Sequence, residues 1–128
     1  MLFATVACLA VACTSQTLAA PHTGTRLEVP PRIATALRQA GFPVKKQCGS
    51  VDNPTLPACW LTIERSGYSV HITLHRTLRD AKVVYRRLSN RWATGTRVAM
   101  FGKLIVSGFR VPPRQWQTIV AVVQRSAR

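Results

Sequence analysis

Residues 60–75 constrain the fold more than any other segment, because they have the pattern of two strands joined by a tight turn. Every second residue from Tyr68 to Leu74 is apolar or aromatic and the residues between them are polar, which is the period of a strand with one buried face. Ser66-Gly67 lies between the two runs and is typical of a two-residue hairpin turn. The chain therefore has to cover one face of an antiparallel strand pair with other elements.

The next segment, from Thr77 to about Trp92, has the period of a strongly amphipathic helix. Thr77 and Asp80 resemble a capping box, with Asp in place of the usual Glu or Gln. At about 100° per residue, apolar residues from Leu78 to Trp92 share one side of this helix. The opposite side carries six cations, which we predict to form a basic binding face: Arg76, Arg79, Lys82, Arg86, Arg87 and Arg91.

Further elements complete a single small domain. A helix beginning at Pro31 precedes the first hairpin, a second hairpin covers 96–110, and Pro112 introduces a last helix. We expect Ser107-Gly108 in the second hairpin to form a strand bulge. The order α-β-β-α-β-β-α predicts an α+β fold, in which two β-hairpins form an antiparallel or mixed sheet with helices packed on one face.

The N-terminal part of the chain differs sharply in charge from the rest. Its first 25 residues carry no charged side chain, and all 18 lysines and arginines follow. The apolar run from Leu2 to Ala12, with small residues after it, is typical of a secretory leader and is too short to span a membrane. We predict a leader over residues 1–20, a tether over 21–30, a basic domain over 31–128, and export to the cell envelope or beyond. A buried N-terminal element is the alternative.

The leader contains a second pattern that bears on anchoring. Residues 10–13, with the sequence AVAC, resemble the lipobox of bacterial lipoproteins, although that family prefers Leu where this chain has Ala10. The resemblance implies that Cys13 receives a lipid and becomes the mature N-terminus. Ordinary signal-peptidase cleavage near Ala19 or Ala20 is the competing expectation. Both routes place the basic domain outside the cytoplasm.

Cys48 and Cys59 are the two cysteines that follow the leader, and in an exported domain two cysteines most simply pair. The residues between them are rich in Gly, Asp, Asn and Pro, which predicts a loop. Closing such a loop stabilises a small domain by roughly 3 kcal/mol. A metal or redox pair is less favoured, because the spacing is not CxxC and no His or further Cys is placed to complete a site. We therefore predict a disulfide, no metal site and no cofactor.

The net charge of +14, with four acidic residues in all, indicates an anionic partner. We expect the basic face to bind an anionic envelope polymer, a membrane surface or an acidic protein, without catalysis; a solvated helix face with no partner is the alternative. Nucleic acid is a less favoured partner. Trp60, Trp92 and Trp116 occupy apolar positions of their elements, and we expect them in the core rather than stacked on bases.

One further pattern suggests catalysis. Residues 71–74, with the sequence HITL, resemble one of the two His-hydrophobic-Thr/Ser-hydrophobic motifs of the 2H phosphoesterases. The resemblance implies that His71 acts as acid or base and that Thr73 holds phosphate. These enzymes carry a second motif on a separate strand, and the other candidate here, residues 75–78, has Arg76 at its first hydrophobic position. A phosphoesterase-like enzyme centred on His71 and Thr73 is therefore the alternative function.

Overall fold

A computed structural model of the chain describes residues 27–49 and 58–128. Within these residues, three α-helices pack on a mixed sheet of six strands, so the predicted α+β class is confirmed. The helices are α1 (Pro31–Gln39), α2 (Leu78–Ser89) and α3 (Pro113–Ser126), with a short 3₁₀ helix at Trp92–Thr94. The strands are β1 (Leu27–Glu28), β2 (Val44–Gly49), β3 (Ala58–Arg65), β4 (Tyr68–Leu74), β5 (Thr96–Phe101) and β6 (Leu104–Phe109).

Strand β3 has three partners in the sheet. Strand β2 pairs antiparallel along one edge of β3. The other edge is shared by β4, which is antiparallel, and by the short β1, which is parallel. Strand β4 then pairs with β6, and β6 with β5, in both cases antiparallel. Both predicted hairpins, β3–β4 and β5–β6, are therefore present, and they join through β4 and β6.

Helices α1 and α3 cover one face of the sheet and form the main core with it. Alternate residues of β3, β4 and β6 point towards these helices, as the two-residue period of a strand requires. Burying large aliphatic side chains contributes roughly 1.5–3 kcal/mol for each one, which makes this layer the main source of stability. The fully buried side chains that meet here include Ile33, Leu37, Ile63, Val70, Ile72, Val106, Ile119 and Val123.

Helix α2 packs on the opposite face of the sheet, against β5 and β6. Ala81 of α2 and Ile105 of β6 are buried but lie outside the core cluster that α1 and α3 cover. Successive strand side chains point to opposite faces, so Ile105 points away from Leu104 and Val106, which belong to that cluster. The prediction that the helices share one face is therefore wrong.

The sequence does not predict β1 or β2. Leu27–Glu28 pairs with β3, and Val29 is buried in the core, so the packed domain begins ahead of the predicted start at Pro31. In β2, three consecutive exposed polar residues begin at Lys45 and remove the alternation that marks a strand. Lysines are common on edge strands, where they oppose pairing with other chains. Polar edge strands of this kind cannot be recognised from a hydrophobic period, because they have none.

The two Ser-Gly pairs have different outcomes. Gly67 has φ +91°, a left-handed conformation that favours glycine, and the predicted hairpin turn at Ser66-Gly67 is confirmed. Pairing of β6 with both neighbouring strands continues without interruption through Ser107 and Gly108. The predicted bulge at Ser107-Gly108 is therefore wrong, and the reason for a glycine at 108 is close packing.

The predicted disulfide between Cys48 and Cys59 is present. The two residues lie directly opposite each other in the β2–β3 register, with Cα atoms 4.1 Å apart. The bond therefore ties the edge strand to the strand with three partners. The predicted leader over 1–20, Cys13 and most of the predicted loop between the paired cysteines lie outside the described residues. None of the helices described is long and apolar enough to cross a membrane.

Candidate functional site

The six predicted cations are all exposed, and we call them the cationic face. Arg76 lies before the N-cap Thr77, and Arg91 follows the C-cap Asn90. Helix α2 ends at Ser89 rather than near Trp92, so Arg91 is a flanking residue and not a helical one. The four cations on the helix itself are Arg79, Lys82, Arg86 and Arg87.

Two contacts fix where α2 begins and how it is rotated. The Thr77 hydroxyl accepts a hydrogen bond from the Asp80 backbone N–H at 3.0 Å, which confirms the predicted N-cap. Ala81 is fully buried against the sheet. Because residues three and four apart share one side of a helix, this contact turns the side of Arg79 and Arg86 towards solvent.

The cationic face has no acidic partner among the residues that the structure describes. Lys46 on β2 and Glu28 on β1 form the ion pair of the described ranges. These strands lie at the end of the sheet away from β5 and β6, which α2 contacts. Asp80 is the acid on α2, and its carboxylate makes no ion pair with the arginines beside it. The charges of the face are therefore uncompensated within residues 27–49 and 58–128 and are accessible to an external anion.

An apolar side chain lies within the cationic face. Val83 is 49% exposed, with Arg79 four residues before it and Arg87 four residues after it on the helix surface. Helices that rest on anionic membrane surfaces combine cations with exposed apolar groups in this way. Single apolar residues are common on protein surfaces, however, so the uncompensated cations carry more weight than Val83.

This arrangement can bind anions by charge but offers little else. The cations project from a convex helix, which leaves them free to contact several phosphates or carboxylates of an extended partner. Attraction of this kind is screened by salt and does not read the chemical sequence of a polymer. The face is therefore suited to holding a protein on an anionic surface or polymer.

The residues predicted for the alternative enzyme are only partly brought together. His71 is exposed on β4, and the β3 and β6 residues opposite it in the register are Thr62 and Ser107. The Thr73 hydroxyl lies 3.0 Å from His75 Nε2. The neighbours of His71 across the strands are thus hydroxyl residues and not a second histidine. The described part of the chain contains no group of three or more His, Cys, Asp or Glu that could hold a metal ion.

The three tryptophans lie in different environments. Trp116 packs against the core, whereas Trp60 is half-buried outside the core cluster and donates through Nε1 to Gln47 Oε1 at 3.2 Å. Trp92 is 77% exposed. The prediction that it lies in the core is wrong, because α2 ends before Trp92 and the helical period no longer applies there.

Trp92 belongs to a group of residues that the sequence does not single out. It lines an open pocket of about 520 Å³ together with Arg97 and Arg110. The three side chains come from the turn after α2, from β5 and from the residue after β6, so no chain spacing relates them. The φ angle of Arg110, at 58°, is a signal of this site that only the structure reveals.

The chain matches no protein-family model, no curated protein and no solved structure. A role for this domain therefore has to follow from the chemistry of its own residues.

Proposed function

We propose that this protein is an exported binding domain that associates, through the cationic face of α2, with an anionic component of the cell envelope. That component is an anionic polymer, a membrane surface or an acidic protein. The observation that supports the proposal most directly is the set of six exposed cations without an acidic partner in the described residues. Export is supported by the leader-like N-terminus and is compatible with the Cys48–Cys59 disulfide. Catalysis is not part of the proposal.

Several cations on one helix attract an anionic surface together. Each Lys or Arg near an anionic membrane surface contributes about 1 kcal/mol to binding. Four cations on one short helix therefore supply enough attraction for reversible attachment without a shaped pocket. A lipid on Cys13 would add to this attachment, since one acyl chain alone holds a protein only weakly.

A charge-matched pair of variants tests the proposal. Arg79→Gln/Arg87→Gln is expected to weaken binding to phosphatidylglycerol vesicles or to polyphosphate by about 2 kcal/mol, or about thirtyfold. The control, Arg125→Gln/Arg128→Gln, removes the same charge at the end of α3 and is expected to bind nearly as the native protein does. Co-sedimentation measures the vesicle affinity, and electrophoretic retardation measures the polymer affinity, each at low and high salt.

Three results would contradict the proposal. These are an affinity that does not fall with added salt, an absence of binding at low ionic strength, and an equal loss in both variant pairs. Equal loss would mean that total charge and not the α2 face governs association. Preference for single-stranded nucleic acid over both other anions would favour the nucleic-acid alternative instead.

The phosphoesterase-like alternative has its own test. His71 is exposed beside Thr62 and Ser107, and Thr73 contacts His75. If His71 were an acid or base, His71→Ala would lower the turnover of a phosphodiester by about 10²-fold or more. We expect no turnover that depends on His71 when bis-(p-nitrophenyl) phosphate is the substrate. A His71-dependent rate would replace the binding proposal with an enzymatic one.

A further inference from the structure

A pocket of about 520 Å³ lies where four segments of the chain meet. These are the turn after α2, the start of β5, the residue after β6, and the two prolines that precede and begin α3. Its lining includes Trp92, Arg97, Arg110, Pro112 and Pro113, all of which are exposed, so the pocket is open to solvent. A volume of this size admits a small molecule, and the open form of the pocket leaves much of a bound molecule in contact with solvent.

Trp92 supplies an aromatic surface to this pocket. An indole that is 77% exposed buries little of the large apolar area that makes tryptophan stabilising, so its contribution to folding is small. Tryptophan is enriched at binding interfaces, because its ring is largely apolar and carries one polar N–H. The C–H face of a sugar ring and the flat face of a base are the natural ligands of a free indole ring.

Arg97 and Arg110 add two positive charges beside Trp92. Neither guanidinium has an ion pair within the described ranges 27–49 and 58–128. Arginine binds carboxylates and phosphates through two parallel hydrogen bonds, which gives it geometric selectivity for these groups. The pocket therefore combines an aromatic surface with two groups that select an anion.

The backbone holds Arg110 in an unusual conformation. Arg110 has φ 58°, in the left-handed region that non-glycine residues avoid, and its N–H donates to Gly95 O at 3.0 Å. Its guanidinium lies over the Phe109 ring, 5.2 Å from the centroid. Strained positions of this kind tend to occur at ligand sites. The bond to Gly95 holds the Arg110 backbone at the pocket, and the contact with Phe109 orients its guanidinium.

We propose that this pocket binds one acidic sugar unit of an envelope polysaccharide. The sugar ring packs on Trp92, and its carboxylate or phosphate pairs with Arg97 and Arg110. The choice of an envelope ligand rests on the proposed function. The pocket would add a specific subsite to the cationic face. Arg91 of the cationic face directly precedes Trp92 in the chain, so the two candidate sites adjoin at the turn after α2.

The aromatic content of the site favours a sugar over a nucleic acid. Proteins that bind single strands without sequence preference stack successive bases on several aromatic side chains. Here Trp92 is the aromatic residue among those that line the pocket, while the neighbouring Phe109 has the Arg110 guanidinium over one face of its ring and is not one of the lining residues. One exposed indole with two arginines beside it matches a single sugar ring that carries one anionic group.

The three indole N–H signals of the protein provide a direct test by NMR. Trp92→Phe identifies the Trp92 signal by its loss. Trigalacturonate and glucose 6-phosphate represent the carboxylate and phosphate forms of the ligand, and maltotriose is the neutral control. At least one acidic sugar is expected to shift the Trp92 signal in a saturable way at millimolar concentration, with the Trp60 and Trp116 signals unchanged. Maltotriose is expected to leave all three in place.

Variants separate this subsite from the cationic face. Arg110→Asn removes the charge but keeps a residue that tolerates the left-handed conformation, and it is expected to weaken acidic-sugar binding about fivefold. Arg97→Gln is expected to have a similar effect, and Arg79→Gln/Arg87→Gln is expected to have none. If the native protein bound neither vesicles nor polyphosphate at low salt but kept the saturable Trp92 shift, the proposed function would be overturned and the pocket would stay in place.

Four results would overturn the pocket inference. The first is no Trp92 shift with either acidic sugar, and the second is an equal shift with maltotriose. The third is an unchanged affinity in both Arg97→Gln and Arg110→Asn. The last is a larger Trp92 response to a thymidine tetranucleotide than to either sugar, which would assign the pocket to nucleic acid.

Discussion

Replacing both Cys48 and Cys59 with serine is expected to lower the free energy of unfolding by about 3 kcal/mol. The bond closes a loop with a sequence separation of 11 and so restricts the unfolded chain. In the folded protein it also joins the edge strand β2 to β3, which lies inside the sheet. Because small domains are stable by only about 5–15 kcal/mol, this is a large share of the total.

Urea unfolding with and without reductant measures this effect. The native protein is expected to lose about 3 kcal/mol when dithiothreitol is added, whereas Cys48→Ser/Cys59→Ser is expected to be insensitive to reductant. Intact mass confirms the state of the bond, since oxidation removes two hydrogens. If the native protein had equal stability in both forms, with the mass showing full reduction, the prediction would be contradicted.

The same mass measurement on protein isolated from its native cell tests export. It reports the cleavage site, any acyl group on Cys13 and the presence of the disulfide together. We expect a mature chain that lacks the leader and has Cys48 and Cys59 oxidised. Reduced, full-length protein beginning at Met1 in the soluble cell interior would contradict export and remove the basis for an envelope ligand.

Elements with strong local signals were predictable from the sequence, and elements defined by their neighbours were not. Alternation from Tyr68 to Leu74 and the turn at Gly67 reflect local geometry, and the structure contains both. Strand β2 has the composition of a solvated loop, and its pairing with β3 follows from tertiary contacts. The side of the sheet on which α2 packs is likewise a tertiary choice, since its amphipathic pattern is satisfied on either face.

The two candidate sites differ in the same way. The cationic face lies on one helix and its flanks, so charge at helical spacing was enough to identify it. The pocket combines Trp92, Arg97 and Arg110 from three separate segments, and the left-handed Arg110 donates its backbone N–H to Gly95 O. The residues beside Arg110 in the sequence, Phe109 and Val111, do not indicate a left-handed conformation. Sites of this kind become visible only when the chain is folded.

Close packing at Gly108 leads to the second large prediction. A Cβ atom added at 108 would lie 2.7 Å from Val111 Cγ2 and 2.9 Å from Trp116 Cζ3, both shorter than van der Waals contact allows. Trp116 belongs to α3, so relief would require the side chains of Val111 and Trp116, or α3 itself, to shift away from β6. Overpacking of this kind costs roughly 1–3 kcal/mol, and we expect Gly108→Ala to lose about 3 kcal/mol of unfolding free energy.

A second strand glycine provides the matched control for this prediction. At Gly49 an added Cβ would have Trp60 Cη2 as its nearest neighbour at 3.7 Å, an ordinary contact, so Gly49→Ala is expected to change stability by less than about 0.5 kcal/mol. Urea unfolding of both variants gives the comparison. The combination of Gly108→Ala with Val111→Ala removes the shortest contact, so its loss is expected to be smaller than the sum of the two single losses. Strict additivity, or equal losses at Gly108 and Gly49, would mean that contact with Val111 and Trp116 is not what requires glycine at position 108.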